Sequence, residues 1–167
     1  MSAQITDSKL SPHFSLFELT FTTRGDLQEA NRTFITAEEI RSLAALCTNI
    51  LEPVRAMFRV PLIIHSGFRY QMLNERVGGS DTSQHRKGEA ADFHIRGLDD
   101  ASGIKHAFDR IRRSTIPFGQ LIDEFDSRRR WLHISLGVPY RSPISCGLAL
   151  TMRINTEGKK EYVHVID

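Results

Sequence analysis

The chain has 167 residues, of which 40% are hydrophobic and 25% are charged, and its formal net charge is +2. This length fits one domain with a sizeable buried core, and the composition is that of an ordinary soluble protein. So small a net charge does not indicate a nucleic-acid partner, and no apolar run is long enough to cross a bilayer. Cys47 and Cys146 have no spacing pattern and indicate buried thiols rather than a disulfide framework.

Helical patterns come first along the chain. Apolar residues within the segment 11–22 indicate a short helix or a docked arm. Thr36 with Glu39 three residues later is a capping-box pattern, which predicts the start of a long amphipathic helix. Pro53 lies inside that pattern and is expected to kink or divide the helix, because proline has no backbone N–H.

The remaining elements alternate between strands and helices. A short apolar strand over residues 62–65 precedes a helix over residues 71–77, which two glycines then end. Asp99 or Asp100 can cap a helix that runs to about Arg113. Further strands are predicted over residues 120–125, 131–136, 149–154 and 161–166, the last two as a hairpin. No internal repeat or linker is visible, so the sequence predicts one α+β domain.

A further predicted strand around Asp92 and the strand over residues 131–136 both offer metal-binding side chains on a polar face. Apolar and polar residues alternate around Asp92 and around His133, which is the period of a half-buried strand. His85 precedes the first of these strands. Two imidazoles and a carboxylate suit Zn²⁺, and three protein ligands with a fourth position open are typical of catalytic zinc sites. His94 shares the strand face of Asp92 and is an alternative ligand or a neighbour of the site.

Five motifs follow one another in a characteristic order. They are Ser66-Gly-Phe-Arg69, Asn74 with Val77-Gly-Gly-Ser80, S-x-H-x-x-G-x-A-x-D from Ser83 to Asp92, Gln120-Leu-Ile-Asp-Glu124, and W-x-H at 131–133. Together they resemble the zinc D-Ala-D-Ala carboxypeptidases and the related phage peptidoglycan endopeptidases, whose metal-site fold is shared with the hedgehog signalling domain. The resemblance covers about residues 14–136. It implies a small antiparallel sheet that carries the zinc site and packs against helices, with the hairpin at about 149–166 completing a single domain over 1–167.

The resemblance implies a ligand set and a base. By position, His85, Asp92 and His133 are the ligands of one Zn²⁺ per chain, and Glu124 is the general base. The segment between Glu124 and the W-x-H motif is longer than in many relatives, so Asp123 or Asp126 is an alternative base. Gly88 lies where a chain turning into a strand needs positive φ or close backbone approach.

Three further residues are expected around the substrate. Arg69 is similar to the arginine that faces the substrate carbonyl or carboxylate in this family, where it offsets negative charge. Ser83 is similar to a serine that lines the substrate site. Trp131 lies on the ligand face of its strand, where it either walls the cleft or contributes only to packing.

The activity implied by the resemblance is zinc-dependent hydrolysis of peptidoglycan stem peptides, by a carboxypeptidase or by an endopeptidase of the endolysin type. The alternatives are a non-hydrolytic zinc-binding component of a cell wall or virion, and a zinc amidase or dipeptidase with a related site. We expect a monomer without membrane insertion. Because the N-terminus shows no apolar signal segment, synthesis in the cytoplasm is expected, with action on the cell wall after phage-type release or by another export route.

Overall fold

A computed structural model of the chain describes residues 8–137, 147–156 and 158–165. Its α-helices are α1 (Leu16–Leu19), α2 (Gln28–Thr33), α3 (Ala37–Leu46), α4 (Glu52–Phe58), α5 (Gln71–Arg76) and α6 (Ala101–Arg112). Short 3₁₀ helices occupy Gly25–Leu27 and Gln84–Lys87, and a π-helical turn at Cys47–Leu51 joins α3 to α4. The strands are β1 (Leu62–Ser66), β2 (Ala90–Ile95), β3 (Phe118–Phe125), β4 (Arg130–Leu136), β5 (Leu148–Ile154) and β6 (Lys160–His164).

The six strands form one sheet in the order β1-β2-β4-β3-β5-β6. Neighbouring strands are antiparallel except for β3 and β5, which are parallel. Strands β3 and β5 both run opposite to β4, so they have the same direction. β5 pairs with the edge of β3 that β4 leaves free. The predicted α+β class is confirmed, with a mixed sheet in place of the wholly antiparallel sheet expected from the resemblance.

The two faces of the sheet have different roles. Phe93, Leu132 and Ile134 alternate with the polar residues of their strands and join the helices in one continuous hydrophobic core. On the opposite face, Ile122 and Met152 are buried but do not belong to that core. This second face is where the polar residues of β2 and β4 lie, so the helical core supports the sheet and leaves its other side for the site.

The predicted helix signals are found in the structure. The backbone N–H of Thr36 donates to the Glu39 carboxylate at 2.6 Å, and the Thr36 hydroxyl accepts from the Glu39 N–H at 3.5 Å, which completes the capping box. Pro53 lies in the first turn of α4, directly after the π-helical turn, where a missing N–H is tolerated. Asp100 rather than Asp99 caps α6 by accepting from the Gly103 N–H at 2.6 Å.

Helix α2 was not predicted, because its sequence is polar and short. Its buried Asn31 explains its position. The Asn31 amide donates to the carbonyl oxygens of Thr20 and Phe68 at 2.9 and 3.0 Å, and its side-chain oxygen accepts from the Tyr70 N–H at 2.9 Å. The bonds to Phe68 and Tyr70 fix the segment that contains Arg69, and the bond to Thr20 ties it to the chain after α1.

Two smaller expectations concern the cysteines and the membrane. Cys47 is a buried free thiol, as expected, whereas Cys146 lies outside the described residues. Within the part of the chain that the structure describes, no helix is both long enough and apolar enough to span a bilayer.

Gly88→Ala is expected to destabilise the fold by about 2 kcal/mol or more, because it combines two penalties. Gly88 has φ of 67°, and a Cβ at this position would lie 2.5 Å from the Glu39 carbonyl oxygen of α3. Gly97→Ala is the matched control, since Gly97 has φ of 81° but a Cβ there would meet only open space. Urea unfolding of both variants is the measurement. Equal losses of stability would show that the contact with α3 has no role.

Candidate metal centre

His85, Asp92 and His133 meet on the sheet face opposite the helical core. Asp92 and His133 are cross-strand partners in β2 and β4, so their side chains leave the same face. His85 comes from the 3₁₀ helix that precedes β2. Its Nε2 atom lies 3.1 Å from Asp92 Oδ1 and 3.2 Å from His133 Nδ1, and the last two atoms are 2.9 Å apart.

The three donor atoms fit a zinc ion. Ligand atoms about 2.0–2.1 Å from a tetrahedral zinc lie about 3.4 Å from one another, close to the separations found here. All three residues are buried, and two imidazoles with one carboxylate are a donor set that zinc accepts. Among residues 8–137, 147–156 and 158–165, no other group of three His, Cys, Asp or Glu side chains is close enough to hold a metal ion.

Neighbouring acceptors fix the orientation of both imidazoles. His85 Nδ1 lies 2.7 Å from the carbonyl oxygen of Gly67, which can only accept, so Nδ1 carries the proton and Nε2 presents its lone pair. His133 Nε2 lies 3.4 Å from Gln84 Oε1, which favours a proton on Nε2 and a free lone pair on Nδ1. Both rings therefore turn their unprotonated nitrogens toward the Asp92 carboxylate oxygen.

The ionisation states also suit metal binding. Burial lowers the pKa of His85 to about 4, so its ring is neutral at pH 7, the form that binds metals. Burial alone would raise the pKa of Asp92. The two imidazoles at Oδ1 and the positive charge of Arg69 at Oδ2 outweigh that effect and hold the Asp92 pKa well below its ordinary value.

Arg69 lies against Asp92. Its Nη2 pairs with Asp92 Oδ2, the oxygen that does not face the histidines, and its Nε donates to Ser66 Oγ at 2.7 Å. The side chain is 15% exposed. Nη1 has no hydrogen-bond partner within the described ranges, so this edge of the guanidinium remains available to a ligand. Arg69 thus orients the carboxylate and still borders the site.

Glu124 lies on the same sheet face as Asp92 and His133, beside the position of His133. It pairs with Trp131 across β3 and β4, while Ile122 pairs with His133, so Glu124, Trp131 and His133 share a face. Burial raises the pKa of Glu124, and the negative charge of Asp92 raises it further, against smaller opposing effects of His133, Lys160 and Tyr162. A carboxyl group with a raised pKa beside a metal site is suited to proton transfer.

The two alternative bases occupy other environments. Asp123 projects to the opposite face, where Arg130 binds both of its oxygens, with Nε 2.6 Å from Oδ1. Asp126 is exposed and caps the β3–β4 turn by accepting from the N–H groups of Arg128 and Arg129 at 2.7 and 2.8 Å. The longer segment after Glu124 is this turn. Of the three acidic residues, Glu124 alone shares the face of the ligands.

The other predicted residues border the centre. Ser83 is half-buried and directly precedes the 3₁₀ helix of His85. Trp131 has a buried indole N–H for which the described part of the chain provides no hydrogen-bond partner. His94 lies on the ligand face but bonds to His65, with 2.7 Å between His94 Nδ1 and His65 Nε2, and it is not part of the three-residue group.

Sequence reasoning missed the groups that orient these side chains. Ser66, Gly67 and Gln84 lie inside the recognised motifs, so their positions were visible although their contacts were not. Tyr162, whose hydroxyl lies 3.2 Å from Glu124 Oε1, is in the C-terminal hairpin and had no motif to mark it.

Fold and site together define an α+β protein with a buried His₂Asp centre of the metallopeptidase type. The family model of Peptidase M15 matches residues 12–135, about three quarters of the chain, and the chain belongs to this family. The predicted family is therefore confirmed. Members are zinc-dependent metallopeptidases, so membership supports zinc as the metal. No curated protein sequence matches the chain.

His133→Ala is expected to lower zinc affinity by more than about 100-fold, since even the loss of a group that only orients a ligand costs 10–100-fold. The unsubstituted protein should bind one zinc per chain. His94→Ala is the control, because His94 shares the strand face but lies outside the three-residue group. Metal analysis with competition titration is the measurement. Retention of zinc by His133→Ala together with loss by His94→Ala would contradict the ligand set.

Proposed function

We propose that this protein is a zinc peptidase that hydrolyses peptidoglycan stem peptides. Membership in Peptidase M15 supports the metallopeptidase class. The observation that carries the proposal is the position of Glu124, whose side chain lies on the sheet face that carries Asp92 and His133, next to the pair that these two residues form across β2 and β4. A metal site without a neighbouring base would fit a binding protein equally well.

His85, Asp92 and His133 would hold the zinc through Nε2, Oδ1 and Nδ1. Zinc, when bound, supplies Lewis-acid chemistry that polarises a carbonyl and acidifies water. Glu124 takes a proton from the attacking water onto its carboxylate and passes it to the leaving amine. A single carboxyl group can perform both transfers when its pKa lies near the working pH, and burial shifts the pKa of Glu124 in that direction.

Arg69 has two tasks in this proposal. Nη2 and Nε hold Asp92 and Ser66, which keeps the carboxylate oriented for the metal. Nη1 donates to the carbonyl or carboxylate of the substrate, where a fixed positive charge offsets developing negative charge. Ser83, which precedes the 3₁₀ helix of His85, and the ring of Trp131 on the ligand face complete the proposed substrate surface.

The resemblance and Arg69 support the proposed substrate and setting. Stem peptides contain D-residues and anionic groups, which suit an arginine beside the scissile bond. We propose that the enzyme acts as a monomer on the cell wall, as a carboxypeptidase or endolysin-type endopeptidase, after release from the cytoplasm. The alternative is a zinc-binding component of a cell wall or virion that has no hydrolytic activity. The following experiment distinguishes the two, because only a peptidase releases peptides.

Purified Gram-negative sacculi incubated with the zinc protein should release peptides, and a chelator should abolish the release. Glu124→Gln should retain its fold and zinc but lose about 100-fold or more in turnover, the scale of a lost general base. Asp126→Asn is the matched control, since Asp126 caps an exposed turn. Product masses identify the bond. An intact sacculus together with cleavage of an all-L peptide would contradict the wall substrate, and an inactive Asp126→Asn with an active Glu124→Gln would contradict the base.

The pH profile gives a separate prediction. The base must be ionised, so turnover should be lost as pH falls through the Glu124 pKa. Burial and the charge of Asp92 raise that pKa, and the acidic limb should lie above the ordinary glutamate value of about 4.3. The measurement is kcat/KM against pH, with zinc content determined at each point to separate protonation of Glu124 from loss of metal. An acidic limb at or below the ordinary value, with zinc retained, would contradict the role of Glu124.

A further inference from the structure

The C-terminal hairpin lies beyond the residues that the family model matches, yet it reaches Glu124. The match ends at residue 135, whereas β5 and β6 cover Leu148–Ile154 and Lys160–His164. Strand β5 pairs with β3 up to Asp123 and Thr151, so the next residues in register are Glu124 and Met152. Met152 pairs in turn with Tyr162 of β6. Glu124, Met152 and Tyr162 therefore form one row across three strands.

The two ends of this row, Glu124 and Tyr162, are in contact. Met152 is fully buried, while Tyr162 is 44% exposed at the rim. The Tyr162 hydroxyl donates to Glu124 Oε1 at 3.2 Å. The phenol remains a donor throughout the physiological range, since burial and the charge of Glu124 raise its pKa to about 12. Among the residues that the structure describes, this is the only hydrogen bond to the Glu124 carboxylate, and Oε2 is left without one.

We propose that Tyr162 is a positioning residue for Glu124 and that the C-terminal hairpin is part of the active site. The terminal torsion of a glutamate has a broad energy profile, so a carboxylate without partners samples many orientations. One bond from Tyr162 to Oε1 restricts that rotation and reserves Oε2 for proton transfer. This inference rests on the proposed role of Glu124 as base, and it adds to the site a residue that is remote from every recognised motif.

The groups that act electrostatically on Glu124 come from three strands. Asp92 on β2 raises its pKa, while His133 on β4 and Lys160 and Tyr162 on β6 lower it. The bond from Tyr162 stabilises the ionised carboxylate. Its removal should therefore raise the Glu124 pKa and move the acidic limb of the rate profile to higher pH.

Tyr162→Phe in the zinc-loaded full chain is the test, because it removes the hydroxyl and keeps the ring. We expect kcat on peptidoglycan fragments to fall about tenfold with KM within about twofold, and the acidic limb to move to higher pH. Glu161→Gln is the matched control, since Glu161 is the neighbouring residue on β6, on the opposite face, paired with Arg153. A merely structural role for the ring would leave the limb in place. An unchanged kcat and limb in Tyr162→Phe would overturn the inference.

A second readout does not depend on turnover. The side-chain carboxyl ¹³C shift of Glu124, assigned with Glu124→Gln, can be titrated in the substrate-free zinc protein and in Tyr162→Phe. A higher Glu124 pKa in Tyr162→Phe supports the inference, and an identical pKa overturns it. If the unsubstituted protein does not cleave peptidoglycan but the carbon titration still responds to Tyr162→Phe, the proposed substrate is wrong and the contact between Tyr162 and Glu124 stands.

Discussion

The buried carboxylate of Asp92 is the constraint around which this site is built. A buried anion is stable only when cations and hydrogen-bond donors surround it. Here the Arg69 guanidinium pairs with one oxygen, whereas the lone pairs of His85 and His133 face the other, where a bound metal cation would supply the missing positive charge. These partners come from a 3₁₀ helix, from β4 and from the loop after β1, so a single charge ties together three separate parts of the chain.

Each partner of Asp92 has its own support. The carbonyl of Gly67 orients His85, and Ser66 holds the Arg69 guanidinium. The loop containing these residues is fixed in turn by Asn31, whose amide bonds to the backbone on both sides of Arg69. The metal ligands are therefore oriented by a connected set of backbone and side-chain groups before any ion binds. Such preorganisation lowers the reorganisation needed to form the site.

The alternation of side chains along the strands gives the two faces of the sheet different roles. Strand alternation directs Phe93, Leu132 and Ile134 into the helical core and Asp92, His133 and Glu124 to the other side. Ile122 and Met152 are buried apolar residues on the same face as Glu124. The base then lies in a partly desolvated position, which raises its pKa, while the ligands remain in contact with one another.

Local features and the family could be predicted from the amino-acid sequence. Alternation around Asp92 and His133 predicted two half-buried strands, the Thr36–Glu39 pair predicted a helix start, and the ordered motifs predicted the family that the match confirms. The sequence also singled out His85, Asp92 and His133, which the structure brings together, and their role as zinc ligands stays a prediction. These features depend on residues that are close in sequence or lie in recognised motifs.

The remaining features depend on how the strands pair in the folded chain. Glu124 and Asp123 are adjacent, and only the pairing of β3 with β4 shows that Glu124 faces the ligands while Asp123 faces Arg130. The parallel β3–β5 pair and the bond from Tyr162 to Glu124 depend on strand order, which brings residues 38 positions apart into contact. Periodicity specifies which residues share a face of a strand, but it does not specify which strands are neighbours, because that choice is made by packing of the whole chain.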